Sequence, residues 1–379
     1  MVTDAPTLGE IIAVIEARYD PRTAEEWDAV GLVCGDPAQP VRRVLFAVDP
    51  VAAVVDEAAV FGAELVVTHH PLFLTPVHGV AADTPKGRVV HRLLGAGRAL
   101  YVAHTNADVA DPGVSDALAA ALGLVDVRPI APLPQPPVDK LVTFVPLGHA
   151  DSVFEALASA GAGAVGDYDL ASFRSEGVGT FRPGPTTHPT IGTPGTLERV
   201  DEIRLEMVLP RADRARVVAA LLEAHPYEEV AYDIVELAPR PSSLGLGRIG
   251  TLPNATRLAA FADQVAAALP VGAGGVRAAG DPDRPIRTVA VCGGAGDSLL
   301  AEVAASGADV FVTGDLRHHR AGEFLELGGP ALVDATHFGT EWPWLQQAAR
   351  LLADDLAAAG TTVETKVSEI VTDPWTLHR

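Results

Sequence analysis

The chain has 379 residues, enough for two or three domains that each bury a core. Hydrophobic residues at 48% against 20% charged exclude a disordered chain. A net charge of −21 repels phosphate backbones and anionic headgroups, which argues against nucleic acid or a membrane surface as partner.

The opening run Met1-Val2-Thr3-Asp4-Ala5-Pro6 lacks the basic segment and apolar core of a signal peptide. No apolar run reaches bilayer-spanning length without Gly, Pro or charge. Cys34 and Cys292 are the only cysteines, too few for a disulfide framework or a thiolate-rich zinc site. A cytoplasmic protein is expected.

Along the chain, the β-branched run 41–48 predicts a buried strand, followed by an Ala-rich helix and a second strand over 62–68. That strand runs into His69-His70-Pro71. Residues 100–103 form the next strand, leading to His104-Thr105-Asn106-Ala107-Asp108. Prolines 129, 132, 134, 136 and 137 read as a linker. Beyond it the pattern gives a strand at 141–145, a helix at 151–160 and a strand at 173–181. A strand at 203–208, a helix at 213–224 and a strand at 231–235 complete it. Two successive β-α-β units suggest a ferredoxin-like domain. Its 184–195 loop, rich in Pro, Thr and Gly, is expected to be mobile. Pro239-Arg240-Pro241-Ser242-Ser243 marks the return.

The first pattern then recurs. Residues 286–293 match 41–48, and 307–313 match 62–68; the offset is 245 at both ends (286 − 41 and 313 − 68). The expected fold is α/β: two similar subdomains, 1–128 and 244–379, flanking an inserted ferredoxin-like α+β domain at 137–238.

Ligands of open α/β sheets bind beyond the carboxyl ends of the strands. Neighbouring strand residues face opposite ways, so His69 and His70 can converge only where the strand has stopped, and Pro71 favours that stop. In the second half, residues 331–335 lead into Thr336-His337-Phe338-Gly339-Thr340-Glu341, where His337 and Glu341 stand i, i+4 on one helical face. With Asp108 these make a candidate centre for two divalent ions. Imidazole and carboxylate without thiolate suit zinc, manganese, iron or cobalt. Two such ions about 3.5–4 Å apart activate water.

Five stretches, in order, carry a family resemblance: Trp27-Asp28-Ala29-Val30-Gly31-Leu32, Thr68-His69-His70-Pro71, His104 to Asp108, Thr313-Gly314-Asp315 and His337 to Glu341. Together they resemble the NIF-three-like family, and the central segment ending in His225-Pro226-Tyr227-Glu228-Glu229 is similar to the insert of its longer members. The resemblance implies two α/β subdomains with a dinuclear site between them and a toroidal homohexamer. It also implies a GTP cyclohydrolase 1 type 2 activity, opening a purine nucleotide at the imidazole carbon with release of formate. By the same token His69 would bind one ion together with His337, His70 the other together with Asp108, and Glu341 both. Thr336-His337-Phe338 departs from the small-His-polar pattern of many relatives but leaves the ligand intact.

Other residues carry weaker readings. Gly314 and Asp315 stand where the second half would repeat His69 and His70, so the centre should be singular. Asp315 and His319 are candidates for proton transfer, and Arg317 and His104 for substrate contact. Cys292-Gly293-Gly294-Ala295-Gly296 is expected to be a tight turn before a helix containing Leu299 and Leu300, letting backbone approach the cleft. Asp28 and Asp49 either support the cleft or cap helices, Trp27 is expected in the core, and His225 to Glu229 at a domain seam. Three functions compete: a hydrolase acting on a small molecule, a bimetallic phosphoesterase, and a metal-holding scaffold without turnover.

Overall fold

The computed structural model describes residues 5–240 and 242–379. Residues 1–4 and Pro241, read above for location and for the return from the insert, lie outside them. Residues 5–133 and 242–379 form one unit, and residues 134–240 another.

The first unit opens with α1 (Leu8–Arg18), β1 (Gly31–Cys34), β2 (Arg43–Ala47), α2 (Ala52–Phe61), β3 (Leu65–Thr68), α3 (Pro85–Gly95) and β4 (Ala99–Val102). A short α4 (Thr105–Val109), α5 (Val114–Ala121) and β5 (Val125–Pro132) follow. The second unit supplies β6 (Val138–Pro146), α6 (Ala150–Ser159), β7 (Phe173–Phe181), β8 (Glu198–Pro210), α7 (Arg214–Ala224) and β9 (Tyr232–Glu236). The first unit resumes with β10 (Gly245–Arg257), α8 (Leu258–Ala268), β11 (Arg277–Ala279), β12 (Pro285–Ala295) and α9 (Leu300–Ser306). It closes with β13 (Val310–Gly314), α10 (His318–Glu326), β14 (Ala331–Asp334), α11 (His337–Ala358) and β15 (Glu364–Val367).

One sheet of the first unit has the order β1-β4-β3-β2-β15, parallel except for β1. Both of its faces are covered, so its strands read as unbroken apolar runs. Val44, Phe46, Leu65, Val67 and Tyr101 pack with α1 and α11 on one side. Leu45, Ala47, Val66 and Leu100 meet α2 and α3 on the other. The second sheet has the order β11-β14-β13-β12-β10-β5, with β12, β13 and β14 parallel. Its Val289, Val291, Val310, Val312 and Val333 pack with α5 and α8, while Ala290, Phe311 and Leu332 face α9 and α10. Helix α5 serves both cores, with Val114 and Ala117 in one and Leu118 and Ala119 in the other.

The two parallel cores share local detail. Val44 pairs with Leu65, and Val289 with Val310, again 245 apart (289 − 44 and 310 − 65). Gly62 and Gly307 end their helices in the left-handed region, at φ 76° and 78°. The Glu64 carboxylate accepts from the backbone N–H of Arg42 and Arg43, and Asp309 from Arg287 and Thr288.

In the second unit the sheet order is β7-β8-β6-β9 and every pairing is antiparallel. Leu141, Val145, Leu205, Met207 and Leu209 bury against Val153, Leu157, Val217 and Leu221 of α6 and α7. The other sheet face carries no helix of this unit.

Three expectations need correction. Residues 129–132 are strand, not linker: Pro129 pairs with Arg248 and Pro132 with Gly245. The strand lies at a sheet edge, where a missing N–H interrupts no ladder. Residues 292–295 continue β12; Leu299 lies in a short 3-10 turn and only Leu300 opens the helix. Trp27 is 57% exposed rather than core. It sits in the loop before β1, its ring 6.0 Å from that of His104.

Candidate metal centre

Strand β3 stops at Thr68, whose hydroxyl donates to the His70 carbonyl across the turn (2.9 Å). The two imidazoles thereby come onto one side, with ring centroids 5.1 Å apart. Strand β4 ends beside it, and α4 lifts Asp108 to within 3.7 Å of His69 Nε2. From the second sheet, β14 leads through Thr336 into α11. Thr336 caps that helix by accepting from Gly339 N–H (3.1 Å). Its φ of 63° is a strained value for a β-branched residue, directly before the site. Helical periodicity then puts Glu341 over His337, with Nε2 to Oε1 at 2.9 Å.

All five expected ligands meet here. His70 Nε2 lies 3.1 Å from His337 Nε2 and 3.1 Å from Glu341 Oε2, and His69 Nε2 lies 3.4 Å from Glu341 Oε1. Asp108 stands 3.7 Å from His69, and His337 3.1 Å from His70. Helix α4 follows the strand beside β3, while α11 enters from the second sheet. His104 also belongs to the cluster, its ring 5.1 Å from that of His69. Ligand atoms of His69, His70 and His104 come within 4.8 Å of one another, as do those of His70, His337 and Glu341, so either group could hold a metal ion.

Each Nδ1 is already engaged. His69 donates to the Ala103 carbonyl (3.0 Å), His70 to Asp49 (2.7 Å), His337 to Asp315 (2.8 Å) and His104 to Asp28 (2.8 Å). That arrangement turns every Nε2 toward the centre. Asp28 and Asp49 therefore support the cleft, and Asp28 also accepts from the Thr105 N–H at the start of α4. Thr372 holds the second oxygen of Asp49, and Thr105 that of Asp28.

The donor set fits a cation. Among the described residues, His69 Nε2 and Glu341 Oε2 are buried without a hydrogen-bond partner, a costly state unless an ion faces them. Burial would raise the Glu341 carboxyl, but His70, His337 and His69 hold it well below its ordinary range. Burial lowers the imidazoles, yet the Glu341 charge outweighs it: His70 stands well above its usual value and His337 rises to about 9. Burial also pushes the Asp108 carboxyl up. Their Nε2 protons are what a divalent ion would displace.

Two glycines make room. A Cβ on Gly294, at φ 65°, would overlap the Glu341 carboxylate, and one on Gly314 would overlap the His337 backbone. The expected close approach of backbone to the cleft is thus real, although strand β12 makes it. Arg317 pairs with Asp297 (Nε–Oδ2 2.6 Å), and His319 is exposed at the start of α10; neither lines the cleft. A cavity of about 570 Å³ opens on His70, His337 and Asp315, walled by Gly274, Trp375 and His378. Trp375 and His378 carried no spacing signal, being placed by the return of the chain after β15.

A model of the Duf34/NIF3 (NGG1p interacting factor 3) family matches residues 6–374. A Mycobacterium tuberculosis protein named GTP cyclohydrolase 1 type 2 homolog is 50% identical over 371 residues, 98% of this chain and 97% of its own. The solved structure of a Bacillus cereus protein related to NIF3 aligns with TM-score 0.74 and 38% identity, over 98% of this chain and 99% of that one. Staphylococcus aureus protein SA1388 aligns with TM-score 0.81 and 28% identity, over 99% of each.

Proposed function

The chain belongs to the Duf34/NIF3 family, and on that premise we propose that it is a dinuclear metal-dependent hydrolase that opens a purine nucleotide with release of formate. The supporting observation is the convergence of three Nε2 atoms on Glu341, two of the buried atoms having no hydrogen-bond partner. His69 and Asp108 would hold one ion, His70 and His337 the other, and Glu341 both. Zinc, manganese, iron and cobalt all suit this donor set. When bound, the ions would supply Lewis acidity and lower the pKa of water.

The chain's own residues prepare that chemistry. Asp49, Asp315 and the Ala103 carbonyl hold the imidazoles by Nδ1, so the rings cannot turn away. Asp315 thus acts as a positioning residue. The cleft volume of about 570 Å³ lies within the roughly 300–1,000 Å³ of small-molecule sites. Asp49, Asp315, Asp334 and Asp373 line it against one Arg277, a balance that suits a polyphosphate only once cations are in place.

We read the two flanking sheets as a duplicated subdomain and the second unit as a ferredoxin-like insert. The shared 245-residue offset supports the first reading, and the strand order β7-β8-β6-β9 the second. A homohexamer and a cytoplasmic setting complete the proposal.

The test incubates metal-loaded protein with GTP and, separately, with a phosphodiester. Formate release that disappears together with bound metal in His70→Ala and Glu341→Ala supports the proposal. Phosphate or nucleoside monophosphate release would make the protein a phosphoesterase. Unaltered substrates across a broad panel would favour a scaffold.

A further inference from the structure

The second unit contains a cavity of its own, about 660 Å³, on the sheet face that carries no helix. Directly opposed residues of antiparallel strands share a face. Phe144 stands opposite Arg204, and Gly177 opposite Glu202, so these four lie on that side. The 184–195 loop, which has no regular structure, forms one wall. It is tied to the His225–Glu229 stretch by His188 N–H to Glu228 (2.9 Å) and Thr190 hydroxyl to the Pro226 carbonyl (2.6 Å). Within that stretch His225 donates to the Phe144 carbonyl (3.0 Å) of the same unit.

Glu202 lines the cavity and is only 7% exposed. Its carboxylate accepts a hydrogen bond from the Tyr227 hydroxyl (2.8 Å). Among the described residues no cation pairs with it. Arg204, two positions along, turns to Glu206 instead (Nε–Oε1 2.8 Å). A buried carboxylate without a counter-ion is costly unless a ligand supplies one. The strand opposite leaves it room: a Cβ on Gly179 would overlap the Glu202 carboxylate, whereas one on Gly177 would meet open space. Aromatic walls stand close by, with Phe181 and Tyr227 in edge contact at 5.5 Å. Glu176, Glu228 and Glu229 add negative charge at the lining, against Arg182 and Arg204.

A buried carboxylate beside aromatic faces is the environment that takes an organic cation, by charge pairing and cation–π attraction together. We propose that this cavity binds a small organic ammonium ion with a flat apolar body, with Glu202 as its counter-ion. The site rests on the second unit alone and does not depend on the metal centre.

Calorimetric titration of the full-length protein with phenethylammonium, phenethyl alcohol and phenylacetate tests it. The ammonium ion should bind at least tenfold more tightly than the alcohol, and phenylacetate should not bind. Glu202→Gln should reduce the ammonium affinity to that of the alcohol. Gly177→Leu, which fills the open space beside Glu202 and keeps its carboxylate, should abolish binding of both; it also serves if Glu202→Gln does not fold. Equal binding of all three probes, tighter binding of phenylacetate, or a folded Glu202→Gln with unchanged ammonium affinity overturns the proposal. So does a failure of all three probes to bind together with a changed oligomeric state in Gly177→Leu, which would make the cavity an interface between copies.

Discussion

Asp49 and Asp315 each accept from an Nδ1 and leave the corresponding Nε2 facing inward. Replacing either by Asn weakens that hold without removing a ligand. Asp49→Asn and Asp315→Asn should each lower metal affinity about 10- to 100-fold, measured by competition with a chelator; unchanged affinity would mean the rings are held by packing alone. Gly294→Ala carries two penalties, a Cβ against Glu341 and a left-handed φ. It should lose bound metal, read by elemental analysis, while far-ultraviolet circular dichroism stays close to wild type. The clustered side chains themselves were legible because His69 and His70 follow an apolar strand and His337 and Glu341 keep helical spacing. Trp375 and His378 were not, since only the folded chain brings them to the cleft. Their roles belong to separations that no local pattern encodes.

Among the elements, β6 and β10 carry buried charge that the apolar pattern does not announce. Asp139 of β6 is buried beneath Arg211 and Arg214 (3.0 and 2.7 Å). Arg214, then Arg211, holds its carboxyl below the ordinary range against the effect of burial. A depressed carboxyl contributes stability above its unfolded value, and that contribution disappears as pH falls through the folded one. Asp139→Asn should therefore cost about 1–2 kcal/mol at pH 7, the arginines being partly solvent-screened. The deficit should shrink below about pH 4, as followed by urea denaturation at several pH values. A deficit that does not vary with pH would contradict this. Arg248 of β10 is 1% exposed and ties Asp116 and the Ala110 carbonyl to its own strand. Arg248→Met leaves those acceptors unpaired and should destabilise the first unit by about 3–5 kcal/mol, seen as a lower denaturation midpoint. Apolar runs located the strands well but mis-set their ends. Strand β8 runs from Glu198 to Pro210 because Glu202, Arg204 and Glu206 occupy its helix-free face, which a hydrophobic pattern cannot detect. The prolines of β5 misled in the opposite direction.

For the whole molecule, the 134–240 segment leaves and re-enters the first unit at neighbouring points: Leu133 N–H donates to the Leu244 carbonyl (2.8 Å), and Pro132 pairs with Gly245. Replacing that segment by a short Gly-Ser loop should leave the first unit folded and its metal content intact, by elemental analysis and thermal melting. Loss of the metal would show that the second unit supports the centre. The two-sheet plan was legible from the repeated β-α-β pattern, whereas the partner of the last strand was not. Strand β15 does not join the sheet of the half that precedes it; it pairs with β2 in the other sheet. A nascent chain therefore cannot finish its earliest sheet until residues 364–367 have been made. During synthesis the flank of β2 stays open to stray pairing until those last residues emerge and cover it.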